Sequence, residues 1–396
     1  MEEAFFRTHT YLVEHTDAPV RRTLMDEIDW NDRMIGIKGT RGVGKSTFLL
    51  QYAKEHFGPH DRKCLYVNMN NFYFQSRGIA DFAGDFVNQG GRTLLIDQVF
   101  KQQDWSKELR KCYDLYPELK IVFTGSSVMR LKEENPELNG IVKSYNLRGF
   151  SFREYINLKT GNDFQPYELE DILRNHEHII KQILPKVSPM KYFNDYLHHG
   201  FYPFFLEQRN FTENLLKTMN MMTEVDILLI KQIELKYLPK IKRLFYELAV
   251  EGAKAPNVSQ LAESINTSRA TVMNYIKYLA DSRLINMIYP DGQDFPKKPS
   301  KVMMHNTNLM YAIYPIQIDK QEVMETFFVN SLWKDHKVHQ GGKDHYYTVD
   351  GNRKFRICDA QTPNKMRSNP DTIYARYNTE VGKDNKIPLW LLGFLY

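Results

Sequence analysis

The sequence predicts an α/β protein. A parallel sheet covered by helices comes first, then a helical segment and a module of three helices and a hairpin. Three observations predict this. Apolar runs of strand length alternate with amphipathic runs of helix length between residues 34 and 127, the pattern produced by crossover connections. A glycine-rich loop, Gly39-Thr40-Arg41-Gly42-Val43-Gly44-Lys45-Ser46, separates the first such strand from the first such helix. An aspartate, Asp97, closes the third strand of the series.

The elements follow in order. "MIGIKG" (34–39) is a short apolar run ending in glycine, which suits a buried parallel strand. Residues 45–56 place Phe48, Leu49, Tyr52 and Ala53 on one helical stripe. "CLYVNM" (64–69) is a second strand, and "IADFAGDFVNQ" (79–89) is a helix stopped by Gly90-Gly91. "RTLLID" (92–97) is the third strand, "WSKELRKCYDLY" (105–116) a helix and "KIVFTGSS" (120–127) the fourth strand.

A chain of 396 residues has room for two or three domains with their own cores. Its 53 basic residues nearly balance 48 acidic ones, and the net charge of +5 permits a local basic patch without demanding nucleic acid. Cys64, Cys112 and Cys358 are far apart and have no zinc spacing, which fits a reducing compartment. "MEEAFFRTHTYLVEH" lacks the pattern of a signal peptide, and the apolar "IPLWLLGFLY" (387–396) is too short to span a bilayer. The expectation is a cytoplasmic protein without a membrane partner.

The loop follows G-x-x-x-x-G-K-[ST], the phosphate-binding loop of P-loop NTPases. Its glycines let backbone N–H groups of residues 39–44 turn toward phosphate oxygens. Lys45 reaches the β and γ phosphates, Ser46 ligates Mg²⁺, and Thr47 follows on a helix whose positive end faces the anion. Asp97 sits at the carboxyl edge of the sheet, where such folds bind ligands, and can hold Mg²⁺ through a water. Thr124 and Ser126 close the fourth strand at the same edge. They are candidates for bonding the attacking water or the γ-phosphate; equally, this is the start of a loop with Ser127 as a helix cap.

The order "KGTRGVGKSTFL", "LLIDQV", "WSKEL", "LKIVFTGSS", "LRGFSFREY" resembles prokaryotic ATP-binding proteins of the AAA+ superfamily, specifically the archaeal-type ATPases of unknown function. That resemblance implies ATP and Mg²⁺ as ligands. It divides the chain into an ATPase domain (1–155), a helical lid or linker (156–238), a winged helix-turn-helix (239–315) and a small α/β, degenerate endonuclease-like domain (316–396). Two departures stand out. Relatives carry a glutamate after the strand-end aspartate as base for the attacking water, whereas this chain has Gln98. An amide orients water but takes no proton, and losing a general base costs about 10²–10⁴ in rate. Small GTPases do orient water with a glutamine. Relatives often carry an arginine finger near 138–142, where this chain reads Leu138-Asn139-Gly140-Ile141-Val142. A missing finger is worth about 10³–10⁵; Arg130, Arg148 and Arg153 are the candidate substitutes.

Residues 169–184 and 214–234 carry helical spacing, interrupted by "HHGFYPFFL" (198–206). His198-His199 lack a third ligand and read as packing or surface residues, and Met219, Met221 and Met222 read as core. In the 239–315 module, Leu261, Ala262 and Ile265 face Val272, Tyr275, Ile276 and Leu279. The second helix of the pair then exposes Arg269, Thr271, Asn274 and Lys277 to phosphates or base edges of duplex DNA. Winged helices also serve as protein–protein modules, so a protein partner stays open. At the end, Glu325, Phe328 and Asn330 resemble the first helix of the endonuclease-like domain. In "GNRKFRICDAQTPNKMR" (351–367) no E-x-K triplet follows, Lys354–Arg356 stands where the first acid belongs, and Asp359 is a remnant. The combined reading is an ATP-binding switch with slow hydrolysis. The alternatives are a competent ATPase acting on DNA or protein, and a winged-helix regulator with structural ATP.

Overall fold

The computed structural model describes residues 2–396 apart from 130, 132–133, 208–209, 343–345 and 362–368. The chain divides into two compact units, Met1–Gly149 and Phe150–Tyr396.

In the first unit α1 (Glu2–Glu14) and α2 (Leu24–Glu27) precede β1 (Met34–Gly39), α3 (Lys45–His56), β2 (Cys64–Asn68), α4 (Ile79–Asn88), β3 (Thr93–Asp97), α5 (Trp105–Leu115), β4 (Lys120–Ser126) and β5 (Lys143–Asn146). The strand order is β2-β3-β4-β1-β5, and every pairing is parallel. Every residue of β3 is buried, as a central strand between helical layers requires. The strands and helices expected between 34 and 127 are all present, with ends shifted by one residue at most. Because the strands run parallel, Gly39, Asn68, Asp97 and Ser126 all end on one edge, with Asn68 beside Asp97 and Gly39 beside Ser126.

The two outer edges are handled differently. β5, Lys-Ser-Tyr-Asn, lies outside β1 and is mostly exposed; polar residues and lysine suit an open edge. The edge at β2 is covered by α1 instead. His9 is 1% exposed, and its Nδ1 accepts the Tyr66 N–H at 3.0 Å. Phe5 packs on Phe74 and Phe82 beside it.

The second unit begins with α6 (Phe152–Thr160), opened by a capping box between Ser151 and Glu154. α7 (Leu169–Ile183) follows and buries Leu169, Ile172, His176, Ile179 and Ile183 on one stripe. α8 (Met190–Asp195) runs into a π-helical turn at Tyr196–Gly200. α9 (Phe211–Met221), a second π-helical turn at Met222–Ile227 and α10 (Leu228–Ile230) replace the single helix expected over 214–234. Met219 and Met222 are core, but Met221 is 39% exposed and the expectation for it fails. It follows Met219 by two positions, which turns it away from the buried face.

α11 (Leu238–Glu251), α12 (Val258–Ser264), α13 (Arg269–Asp281) and the antiparallel hairpin of β6 (Ile285–Ile288) and β7 (Lys301–Met304) come next. Leu261, Ala262, Ile265, Val272, Tyr275, Ile276 and Leu279 are all buried, as the pattern requires. α14 (Thr307–Ile313) and α15 (Lys320–Leu332) lead into β8 (Val338–Gln340), β9 (Tyr347–Val349), β10 (Arg353–Asp359), β11 (Thr372–Tyr377) and β12 (Lys386–Pro388). These five form a sheet in the order β12-β11-β10-β9-β8, parallel at β10/β11 and β11/β12 and antiparallel elsewhere. Phe328 of α15 packs one face of it through Tyr347 and Phe355. The hairpin is tied to this sheet, because the Gln340 N–H donates to the Tyr289 carbonyl at 2.8 Å and Lys301 pairs with Glu325 at 2.7 Å.

Candidate functional site

The loop after β1 is shaped by its glycines. Gly42 (φ +85°) and Gly44 (φ +93°) both take the left-handed region, which costs glycine little and other residues more. At Gly39 a Cβ would lie 2.4 Å from the Leu147 carbonyl oxygen, so no larger residue fits. α3 starts directly after Gly44, and its first turn is drawn in by Phe48 N–H to the Gly44 carbonyl at 2.9 Å. The Lys45 ammonium donates to the carbonyls of Gly39 and Thr40, each at 2.8 Å. Thr40 is buried, Arg41 and Thr47 flank the turn, and Val43 is fully buried beneath it.

The carboxylate of Asp97 is 1% exposed and is the meeting point of the site. Its Oδ2 accepts from Ser46 Oγ at 2.6 Å, Tyr66 Oη at 2.9 Å and Asn68 Nδ2 at 2.9 Å. Its Oδ1 accepts from Thr124 Oγ1. The loop serine and the strand-end aspartate, 51 positions apart in sequence, are therefore in direct contact. An oxygen-only pair of a hydroxyl and a carboxylate suits a hard, small cation such as Mg²⁺. Burial and the neighbouring Asp97 charge push the Tyr66 phenol well above its ordinary pKa, so it stays protonated and keeps donating.

Thr124 is fully buried. Besides donating to Asp97, its oxygen accepts the backbone N–H of Gln98 at 2.9 Å. It thus fixes Gln98, whose backbone is left-handed (φ +57°), and acts through these neighbours rather than facing outward. Ser126 is also buried, and its oxygen accepts the Val128 N–H.

Three contributors lie outside the sequence motifs: Tyr66, Asn68 and Arg22. Arg22 is buried; Nη1 donates to the Val43 carbonyl at 3.2 Å and Nη2 to the carbonyls of Arg148 and Gly149 at 2.6 and 3.1 Å. It braces the loop from a position preceding it in sequence. Among the candidate fingers, Arg153 is buried in the second unit, donating to the carbonyls of Tyr396 and Phe164. Its role there is structural. Arg130 lies outside the described residues. Asn139 and Gly140 are exposed between β4 and β5, and Gly140 has φ +78°.

On α13, Arg269 and Asn274 are exposed. Thr271 is half-buried, its hydroxyl bonded to the cap residue Ser268, and Lys277 is paired with Asp281 one turn on. His198 stacks on Tyr311 and His199 meets Phe211 edge-on, both packing contacts. In the C-terminal sheet, Glu325 accepts from Lys301, Tyr347 and Gln321, while Asp359 accepts from Asn378. Residues 362–367 of the remnant motif lie outside the described residues. Among the described residues no group of three or more His, Cys, Asp or Glu is arranged to hold a metal ion, and no helix is long and apolar enough to cross a membrane.

Residues 31–156 match the family described as AAA domain, and residues 190–320 match a domain of unknown function, DUF8612. The AAA match covers most of the first unit, so this unit is similar to an AAA domain. That match supports nucleotide binding by this unit. An uncharacterized protein of Methanocaldococcus jannaschii, MJ1637, is 26% identical over 294 residues, covering 70% of this chain and 61% of that protein. Among solved structures, the Aeropyrum pernix ORC1 protein in complex with DNA matches at 11% identity with a TM-score of 0.30, covering 80% of this chain and 92% of that one. AMPPCP-bound DnaA from Aquifex aeolicus matches at 13% identity and 0.24, covering 69% and 86%. TM-scores this low establish no common arrangement along the chain, and the DNA and AMPPCP belong to those proteins.

Proposed function

We propose that the first unit binds ATP with Mg²⁺ and turns it over slowly, so that the chain works as a nucleotide-dependent switch. The observation that carries this reading is the contact between Ser46 and Asp97, placed beside two left-handed glycines and the start of α3. In it, N–H groups of the loop and the α3 N-terminus take the phosphates, Lys45 leaves its loop carbonyls for the β and γ oxygens, and Ser46 and Asp97 hold the cation. Bound Mg²⁺ supplies charge neutralisation between the phosphates.

Slow turnover is inferred from two features of the sequence, Gln98 and the 138–142 segment. Gln98 is fixed by Thr124 and can orient water without accepting its proton. The 138–142 segment carries no cation. Residues 239–315 are read as a winged helix-turn-helix that reports the nucleotide state to duplex DNA or a protein partner.

The test is titration of a fluorescent ATP analogue into the protein and its Lys45→Ala variant, followed by single-turnover hydrolysis. Tight Mg²⁺-dependent binding, lost in the variant, with turnover below about 1 s⁻¹, the low end of ordinary enzyme rates, is expected. Equal affinity of the two proteins removes the nucleotide reading. Turnover in the ordinary range removes the switch.

A further inference from the structure

The C-terminal sheet has two faces of different character. Phe355 and Ile357 of β10, Ala375 and Tyr377 of β11 and Ile387 of β12 share one parity. This side is turned to α15, through Phe355 against Phe328 and Tyr377 bonded to Gln321. The alternate positions carry Lys354 and Arg356 on β10, Arg376 on β11 and Lys386 on β12.

Register makes these one patch. Arg356 lies across from Tyr374, which lies across from Lys386, and Cys358 lies across from Arg376. Lys354 is exposed and the other three cations are half-buried. The Cys358 thiol between them feels the positive charge of Arg376, Arg356 and Lys386, although burial outweighs it and raises the thiol pKa. Asp359 is the only acid in the five strands. It has the parity of Phe355 and Ile357 and is held by Asn378.

Thr372 and Tyr374 share this parity and are buried, so Lys354 and the half-buried Arg356, Arg376 and Lys386 carry what this side exposes; solubility alone is served by mixed signs. Here every charged strand position on the outward side is positive, in a chain whose overall charge is only +5. Lys354 and Arg356, at alternate positions of one strand, stand roughly 7 Å apart, Arg376 lies diagonally from Arg356 and from Lys386, and Tyr374 separates Arg356 from Lys386. An array of that kind follows a chain of phosphates rather than a single small anion. An aromatic ring adjoins the patch: the Arg356 guanidinium lies 5.3 Å from the Tyr346 centroid. Cations interleaved with an aromatic platform are what single-stranded nucleic acid requires. Duplex readout needs a helix or ribbon that enters a groove, and the outward face of a sheet presents neither.

We propose that this outward face binds single-stranded nucleic acid through its phosphate backbone, with Tyr346 as a stacking platform. This surface is separate from α13, where Lys277 is engaged by Asp281.

The test uses the full chain and a labelled oligothymidylate, with affinity followed by anisotropy across a salt series. The wild type should bind, and log affinity should fall linearly with log salt. Lys354→Gln with Lys386→Gln should bind about tenfold or more weakly, with a slope shallower by about 0.7 for each phosphate contact removed. Arg269→Glu and Lys45→Ala should bind as the wild type does, which separates this surface from α13 and from the nucleotide site. Wild-type affinity and slope in the double variant overturn the proposal. So does failure of the wild type to bind at low salt, or tighter binding to a duplex of the same sequence by the Arg269→Glu variant. If the double variant does not fold, Lys354→Gln alone, at an exposed position, reads the same slope.

Discussion

Asp97 is surrounded by donors on Ser46, Tyr66, Asn68 and Thr124, so its orientation is set before any ligand arrives. Groups that orient a metal ligand typically account for about 10–100-fold in metal affinity. Tyr66→Phe and Asn68→Ala should therefore raise the Mg²⁺ concentration needed for half-maximal ATP binding by that factor, while leaving metal-free nucleotide affinity unchanged. A Mg²⁺ titration at fixed nucleotide reads both. Gln98 leads to a second expectation. Supplying only the missing base, Gln98→Glu, should raise turnover far less than the general-base factor of about 10²–10⁴, because the 138–142 segment still supplies no arginine finger to the transition-state charge. Asn139 is the place to add one: it is exposed, with φ −61°, whereas the neighbouring Gly140 is left-handed and would strain an arginine. Gln98→Glu with Asn139→Arg should exceed the product of the single effects, since both act on one transition state; steady-state turnover of the three variants checks this. Lys45, Ser46 and Asp97 were legible because their chemistry is written as a spacing. Tyr66, Asn68 and Arg22 were not. Their partners are 31, 29 and 21 or more positions away, and only the parallel register of β2 and β3 brings the first two to Asp97.

Among the elements, α1 shows how a sheet edge can depend on one imidazole. The Tyr66 N–H donates to His9 Nδ1, so Nδ1 must be unprotonated, and burial lowers the His9 pKa from 6.5 to about 4. Between those values the unfolded chain binds a proton that the folded chain does not, so folding stability rises with pH across that window and is lost as pH falls through it. At about 1.4 kcal/mol per unit, the loss amounts to about 3 kcal/mol. Denaturant unfolding of the wild type and of His9→Gln should show it. The variant starts less stable at neutral pH but loses less between pH 6.5 and 4, and parallel profiles would remove His9 from the account. The edge elements were also the least legible. β5 is polar because it is an outer strand, so no apolar run marks it. α1 gives its identity away only through what it covers. The central strands and their helices were readable because burial on both faces forces continuous apolar runs. In the second unit, π-helical turns at Tyr196–Gly200 and Met222–Ile227 broke the helical period, and Met221, the last residue of α9, came out exposed because it sits two positions after the buried Met219.

For the molecule as a whole, the two compact units set the terms on which a switch can work. A ligand shifts a conformational equilibrium only by its difference in affinity for the two states. A chain of two units is not bound to unfold as one cooperative block. Calorimetry should accordingly resolve more than one transition. Mg²⁺–ATP at a hundred times its dissociation constant should stabilise the first unit by about 2.7 kcal/mol, and Lys45→Ala should abolish that shift. If nucleotide does no more than fill its pocket, the second unit's transition stays where it was, and amide exchange along α13 and the C-terminal sheet is the same with and without ATP. The switch reading expects the reverse. Nucleotide should change exchange protection in the second unit, at residues that touch no phosphate, and the non-hydrolysable analogue should produce the same change, because a slowly hydrolysing site is governed by occupancy. A change seen with ATP but absent with the analogue would tie the response to hydrolysis and favour a working ATPase over a switch. No change with either would leave the first unit as a nucleotide-stabilised fold.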